Sequence, residues 1–145
     1  MSLKIGFLIY NGVAELDFVG PKGVFFASNW LRKEQDHLYL VASSLEPITT
    51  LEGMKVPPDY DFASAPLPDI LVVPGSADPA PQLDQPDLLK WVENASRHCT
   101  WTTSVCTGAA ILLAAGPAKG RRITSHWMMR DALRLQNEAT VIDNV

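Results

Sequence analysis

The residues best suited to chemistry lie in the run Thr102-Thr103-Ser104-Val105-Cys106-Thr107-Gly108-Ala109-Ala110. A β-branched stretch feeds straight into a helical one, with a cysteine at the junction and small residues around it. In a nucleophile elbow a sharp strand-to-helix turn exposes the nucleophile and needs small neighbours. A helix N-terminus beneath the thiol favours the thiolate and lowers its pKa. The Thr107 N–H would then face charge developing on a bound substrate. The competing reading is a buried core thiol, since free cysteine is among the most buried residue types. Cys99 precedes the strand, has no helix to activate it, and reads as core. A low-pKa thiolate is also the more oxidisable, so peroxide is expected to modify Cys106 well before Cys99.

Three further segments could complete a site. Tyr10-Asn11-Gly12-Val13-Ala14-Glu15-Leu16-Asp17 puts an acid beyond the end of the first strand. Asp17 there could trade a proton with the thiol or with substrate, or simply cap the helix that follows. If thiol and carboxyl share a proton, Asp17 titrates high and Cys106 low. Glu15 reads as solvated. Pro74-Gly75-Ser76 ends another strand, where Gly75 permits a close or left-handed backbone whose N–H groups could form an anion pocket. It reads equally as an ordinary turn. In Thr124-Ser125-His126-Trp127, His126 is either a site residue or a capping or surface histidine. Neither His37 nor His98 has a partner, no metal-ligand spacing occurs and no phosphate loop is present, so no metal or cofactor is expected.

These residues need elements to position them. Leu3 to Tyr10 is an apolar run closed by Asn11-Gly12 and predicts a buried strand. Asp17 to about Lys33 predicts a helix, with Pro21 in its first turn. His37 to Ala42 predicts a strand, and Thr49 to Val56 a hairpin turning at Glu52-Gly53. Asp69 to Gly75 predicts a continuous apolar strand, followed by a proline-rich loop and a helix over Asp84 to His98. Thr100 to Val105 reads as strand and Thr107 to Ala115 as helix, stopped by Gly116-Pro117. Arg121 to Ser125 reads as a short strand, Trp127 to Leu135 as a helix and Ala139 to Ile142 as a last strand. Alternating strands and helices, with several strands apolar on both faces, imply a mainly parallel sheet covered by helices. Ligands bind outside the carboxyl ends of such strands, which is where Asp17, Gly75 and Cys106 all fall.

The chain has 145 residues, 47% of them hydrophobic and 19% charged. That is an ordinary size for one domain spanning 1–145, and the composition excludes intrinsic disorder. A net charge of −4 argues against a nucleic-acid binder. Lys119, Arg121, Arg122, Arg130 and Arg134 are close in sequence, but Asp131 and Glu138 interrupt them. Met1 to Tyr10 lacks the features of a secretory signal. The uncharged stretch from Cys99 to Ala118 is too polar in its first half to span a bilayer. A cytoplasmic protein with reduced thiols, and no membrane partner, is the expectation.

Together these motifs resemble the ThiJ/PfpI superfamily, and within it the isonitrile hydratase branch. The carrying residues are Tyr10-Asn11-Gly12-Val13 through Leu16-Asp17, Gly20-Pro21, Asp69 to Gly75, Ser104-Val105-Cys106-Thr107-Gly108-Ala109 and Gly120-Arg121-Arg122-Ile123-Thr124-Ser125-His126-Trp127. The resemblance implies a flavodoxin-like fold with helices on both faces, in a homodimer acting on a small molecule. It implies Cys106, Asp17 and Thr107 as catalytic residues, with Gly75, Ser76, Thr107 and His126 binding substrate or an oxyanion. Such proteins commonly carry Pro-Gly-Gly where this chain has Pro74-Gly75-Ser76. They also continue past Val145 with a Thr-Ser-Ala-Gly-like segment and a long helix, which implies that the C-terminal part of the fold is missing here.

The implied activity is hydration of an isonitrile to an N-substituted formamide. Two other functions are compatible with the same motifs. One is a glyoxalase or deglycase reaction on reactive carbonyls. The other is a non-catalytic ligand-sensing domain like that of AraC-type transcriptional regulators, which share the Ser-Val-Cys-Thr-Gly and Thr-His-Trp patterns. The peptidase branch carries Cys-His at the elbow, and Cys106-Thr107 argues against it.

Overall fold

The computed structural model describes residues 2–33 and 35–143. Its elements run β1 (Lys4–Leu8), α1 (Glu15–Arg32), β2 (His37–Ala42), β3 (Ile48–Thr49), β4 (Lys55–Val56), β5 (Tyr60–Asp61) and β6 (Ile70–Val73). They continue with α2 (Ala80–Leu83), α3 (Pro86–His98), β7 (Trp101–Ser104), α4 (Gly108–Ala115), β8 (Arg122–Ile123), α5 (Trp127–Gln136) and β9 (Thr140–Val141).

Among the described residues five strands form one sheet in the order β5-β2-β1-β6-β7, and every pairing in it is parallel. Gly6 lies opposite both Tyr39 and Leu71, and Val73 opposite Ser104. From β1 the chain first moves outward through β2, then crosses back to β6 and β7. Right-handed crossovers in opposite directions put α1 and α3 on opposite faces of the sheet. The reversal lies between β1 and β6, and all the strands point the same way. The segments after β1, β6 and β7 therefore open onto one crevice, the usual ligand position in open parallel sheets.

The interior follows from the strand compositions. Ile5, Phe7, Leu8, Leu71 and Val73 have no exposed surface, as central parallel strands covered on both faces require. Each such side chain, fully buried, stabilises the fold by about 1.5–3 kcal/mol. Helix α4 is apolar all round, because it is enclosed between the sheet and α3. Within α4 only Ala114 is exposed.

The predicted elements are present with their ends trimmed, and four details differ. The expected final strand, β9, does not join the main sheet: it pairs in parallel with β8 in a separate two-stranded unit. The proline-rich loop after β6 contains the single turn α2, and β5 falls where no strand was expected. Their two to four residues carry no periodicity long enough to read. Helix α1 begins two residues before Asp17, so Asp17 sits in its first turn and not at its cap; the Ala14 cap position makes no side-chain bond. Glu15, expected to be solvated, accepts a 2.6 Å hydrogen bond from the Thr50 hydroxyl.

Candidate active site

Cys106 occupies the turn between β7 and α4 with φ at +56°. A non-glycine residue in the left-handed region is uncommon and costs about 1–3 kcal/mol, so surrounding contacts must hold it. The Cys106 carbonyl accepts two hydrogen bonds, from the Ser125 hydroxyl at 3.0 Å and from the His126 N–H at 3.2 Å. Two glycines make the room. A Cβ on Gly108 would lie 2.1 Å from the Val73 carbonyl oxygen, so only glycine lets α4 start against the end of β6. A Cβ on Gly75 would lie 2.6 Å from both the nitrogen and the hydroxyl of Thr107. Gly75 thus serves close approach, and its φ is not positive.

The loop after β1 is tied to the loop after β6. Val13 bridges Ser76, and the Ala14 N–H donates to the Gly75 carbonyl at 2.9 Å. The Asp17 carboxylate accepts the Gly75 N–H at 3.0 Å. Thr107 then ties β6's loop to α4, since its buried hydroxyl accepts the Ser76 N–H and donates to the Ser76 carbonyl, both at 2.9 Å. The amides of Gly75 and Ser76 are therefore engaged within the protein. The amide left for the sulphur is that of Thr107, which works to lower the thiol pKa.

Burial pushes the Cys106 thiol above its ordinary pKa, and the nearby Asp17 carboxylate pushes it further. The Thr107 amide and hydroxyl pull the other way without prevailing. The helix N-terminus was expected to depress this thiol; desolvation and a like charge outweigh it. The resting sulphur is accordingly a thiol with a carboxylate beside it, a pair arranged for proton transfer.

Tyr10 is a residue the sequence reading passed over. It is buried two residues past the end of β1, its hydroxyl donates to the Pro74 carbonyl at 2.8 Å, and burial raises its pKa, with Asp17 and Cys106 adding to the effect. Its place in the strand motif was visible, but nothing in a lone tyrosine shows that its hydroxyl ends on the Pro74 carbonyl. Ser125 was likewise visible only as part of a motif. His126 caps α5, and its ring lies beside Trp127 with centroids 5.6 Å apart. Its buried Nδ1 and the buried Ser76 Oγ have no hydrogen-bond partner. Among the described residues no group of His, Cys, Asp or Glu could hold a metal ion, and no helix is long and apolar enough to cross a membrane.

Comparison with known proteins places this geometry. Residues 3–145 match the DJ-1/PfpI family. An isonitrile hydratase from Pseudomonas putida is 35% identical over 145 residues, which is 100% of this chain and 61% of that protein. The crystal structure of a ThiJ/PfpI family protein from Pseudomonas syringae superposes with a TM-score of 0.87 at 32% identity, covering 97% of this chain and 57% of the other. A transcriptional-regulator-like protein from Vibrio parahaemolyticus shares the fold, with a TM-score of 0.86 at 17% identity over 100% of this chain and 78% of its own. The chain thus spans less than two thirds of the first two relatives.

Proposed function

The chain belongs to the DJ-1/PfpI family, and from that premise we propose that it is a cysteine-dependent enzyme hydrating isonitriles to N-substituted formamides. The observation that carries the reading is the thiol on a left-handed elbow with the Asp17 carboxylate beside it. As sulphur bonds to the terminal isonitrile carbon, Asp17 takes the thiol proton and passes it to that carbon, leaving a thioimidate. Water then adds its oxygen to the same carbon through Asp17, and its proton goes to nitrogen. The carbon–sulphur bond breaks as the new hydroxyl returns its proton to sulphur, releasing the formamide. The Thr107 N–H stabilises charge on sulphur. The Thr107 hydroxyl, spent on Ser76, holds the two loops in register.

The same reading includes a homodimer. Helix α1 leaves Leu16, Val19, Phe26 and Trp30 exposed along one face at helical spacing, and a second copy would cover it. No nucleic acid or membrane enters the scheme. Turnover of cyclohexyl isocyanide measured beside methylglyoxal tests the reading: formamide production with methylglyoxal untouched supports it. Methylglyoxal consumption without formamide assigns the thiol to carbonyl chemistry instead.

A further inference from the structure

Ser125 stands outside the proposed reaction, yet its contacts reach the reacting sulphur through one peptide unit. The Cys106–Thr107 peptide is trans, so its carbonyl oxygen and its N–H point in opposite directions. On the carbonyl side lie the Ser125 hydroxyl at 3.0 Å and the His126 N–H at 3.2 Å. On the opposite side lies the Thr107 N–H, which works to lower the Cys106 thiol pKa. This peptide follows a residue at φ +56°, a backbone conformation that costs energy and is kept only where surrounding contacts hold it.

We infer that Ser125 is a positioning residue: its hydroxyl latches the Cys106 carbonyl and so keeps the Thr107 N–H turned to the sulphur. A flip of this peptide would carry the carbonyl oxygen toward the sulphur and take the N–H away. Ser125 is itself held. It is only 9% exposed, its carbonyl accepts the Arg130 Nε–H at 3.0 Å, and Arg130 lies 3.7 Å from Asp143. The neighbouring Thr124 hydroxyl donates to the Ile142 carbonyl at 3.0 Å. The β8–α5–β9 unit, which is separate from the main sheet, thereby sets the direction of one amide at the elbow. This role does not depend on which substrate the thiol attacks.

The test is the chemical reactivity of the two thiols, read by iodoacetamide alkylation and peptide mass spectrometry across a pH series. Asp17, Tyr10 and His126 are the same in every variant, and Arg130, whose Nε–H meets the Ser125 carbonyl, is altered only in Arg130→Gln. In Ser125→Ala the Thr107 amide is no longer held, so the Cys106 midpoint should rise by about half a unit to one unit. Its rate at neutral pH should fall roughly threefold to tenfold, the equivalent of one neutral hydrogen bond. The Cys99 profile should not move, and Ser125→Thr, which keeps the hydroxyl, should restore Cys106. If Ser125→Ala does not fold, Arg130→Gln loosens the latch from behind and should shift Cys106 the same way by less. An unchanged Cys106 profile in the folded variant, or equal shifts at both cysteines, overturns the inference.

Discussion

The two ends of β7 each carry a half-buried free cysteine, and they differ in backbone more than in surroundings. Cys99, before the strand, and Cys106, after it, both have thiols pushed up by burial, and each has a carboxylate adding to the effect, Asp69 for one and Asp17 for the other. Burial and charge therefore do not separate them. Cys99 has φ −70° and ψ 140°, ordinary extended backbone, and its sulphur donates to the Pro68 carbonyl at 3.3 Å. Cys106 is held left-handed by two donors on its carbonyl, against two glycines. What marks a reactive thiol here is the strained and clamped peptide, since the pKa directions are alike.

The sharpest way to break this comparison is to remove each thiol. Cys106→Ala should lower isonitrile hydration by at least about a thousandfold with the fold intact, as loss of a nucleophile does. Cys99→Ala should keep turnover within about twofold of the unaltered protein. Steady-state formamide production measures both, and comparable losses would erase the distinction.

Glycine replacements probe the room each end needs. Gly108→Ala should destabilise the protein by about 3 kcal/mol, because the new methyl meets the Val73 carbonyl. That corresponds to a fall of roughly 6–12 °C in Tm. Gly23→Ala, in α1 with nothing within 4 Å of the added carbon, should be neutral or stabilising by about 1 kcal/mol. Thermal melts decide, and equal effects would mean that the elbow is not tightly packed.

Asp17→Asn tests the charge at one end only. Asp17 raises the Cys106 thiol pKa, so its removal must lower that pKa and enlarge the thiolate fraction wherever the unaltered protein is still mainly protonated. Alkylation of Cys106 at neutral pH should therefore speed up by roughly threefold to tenfold, the gain vanishing above the original midpoint. Turnover should fall all the same, because the proton carrier is gone. Cys99 should alkylate at its original rate.

The smallest contrast is oxidation. Mild peroxide should convert Cys106 to its sulfenic or sulfinic form several-fold faster than Cys99, because Cys106 sits on the strained elbow while the Cys99 sulphur is tied to the Pro68 carbonyl. Peptide mass spectrometry reads the ratio, and preferential loss of Cys99 would reverse the assignment.

The sequence carried the β–α alternation, because runs such as Ile70 to Val73 and Ala109 to Ala115 are apolar in patterns that only a covered sheet satisfies. The positions of Asp17, Gly75 and Cys106 after three parallel strands also put them on one crevice, whereas His126 was left open between a site residue and a cap. A parallel sheet brings the carboxyl ends of its strands together whatever their detailed register. Short pieces such as β5 and α2 were not legible, and β9 was legible as a strand but not as a partner of β8.

Tertiary structure alone decided the rest. The sign of the Cys106 shift depends on how much water the fold removes and on the approach of Asp17, two competing effects that no local pattern can rank. The fate of each amide is decided in the same way. Gly75 donates to Asp17, 58 residues away in sequence, and Ser76 to Thr107, 31 away. Ser125 reaches Cys106 across 19 residues. Such bonds depend on distances of a few tenths of an ångström set by packing, whereas strands and helices depend on periodicity written directly in the chain.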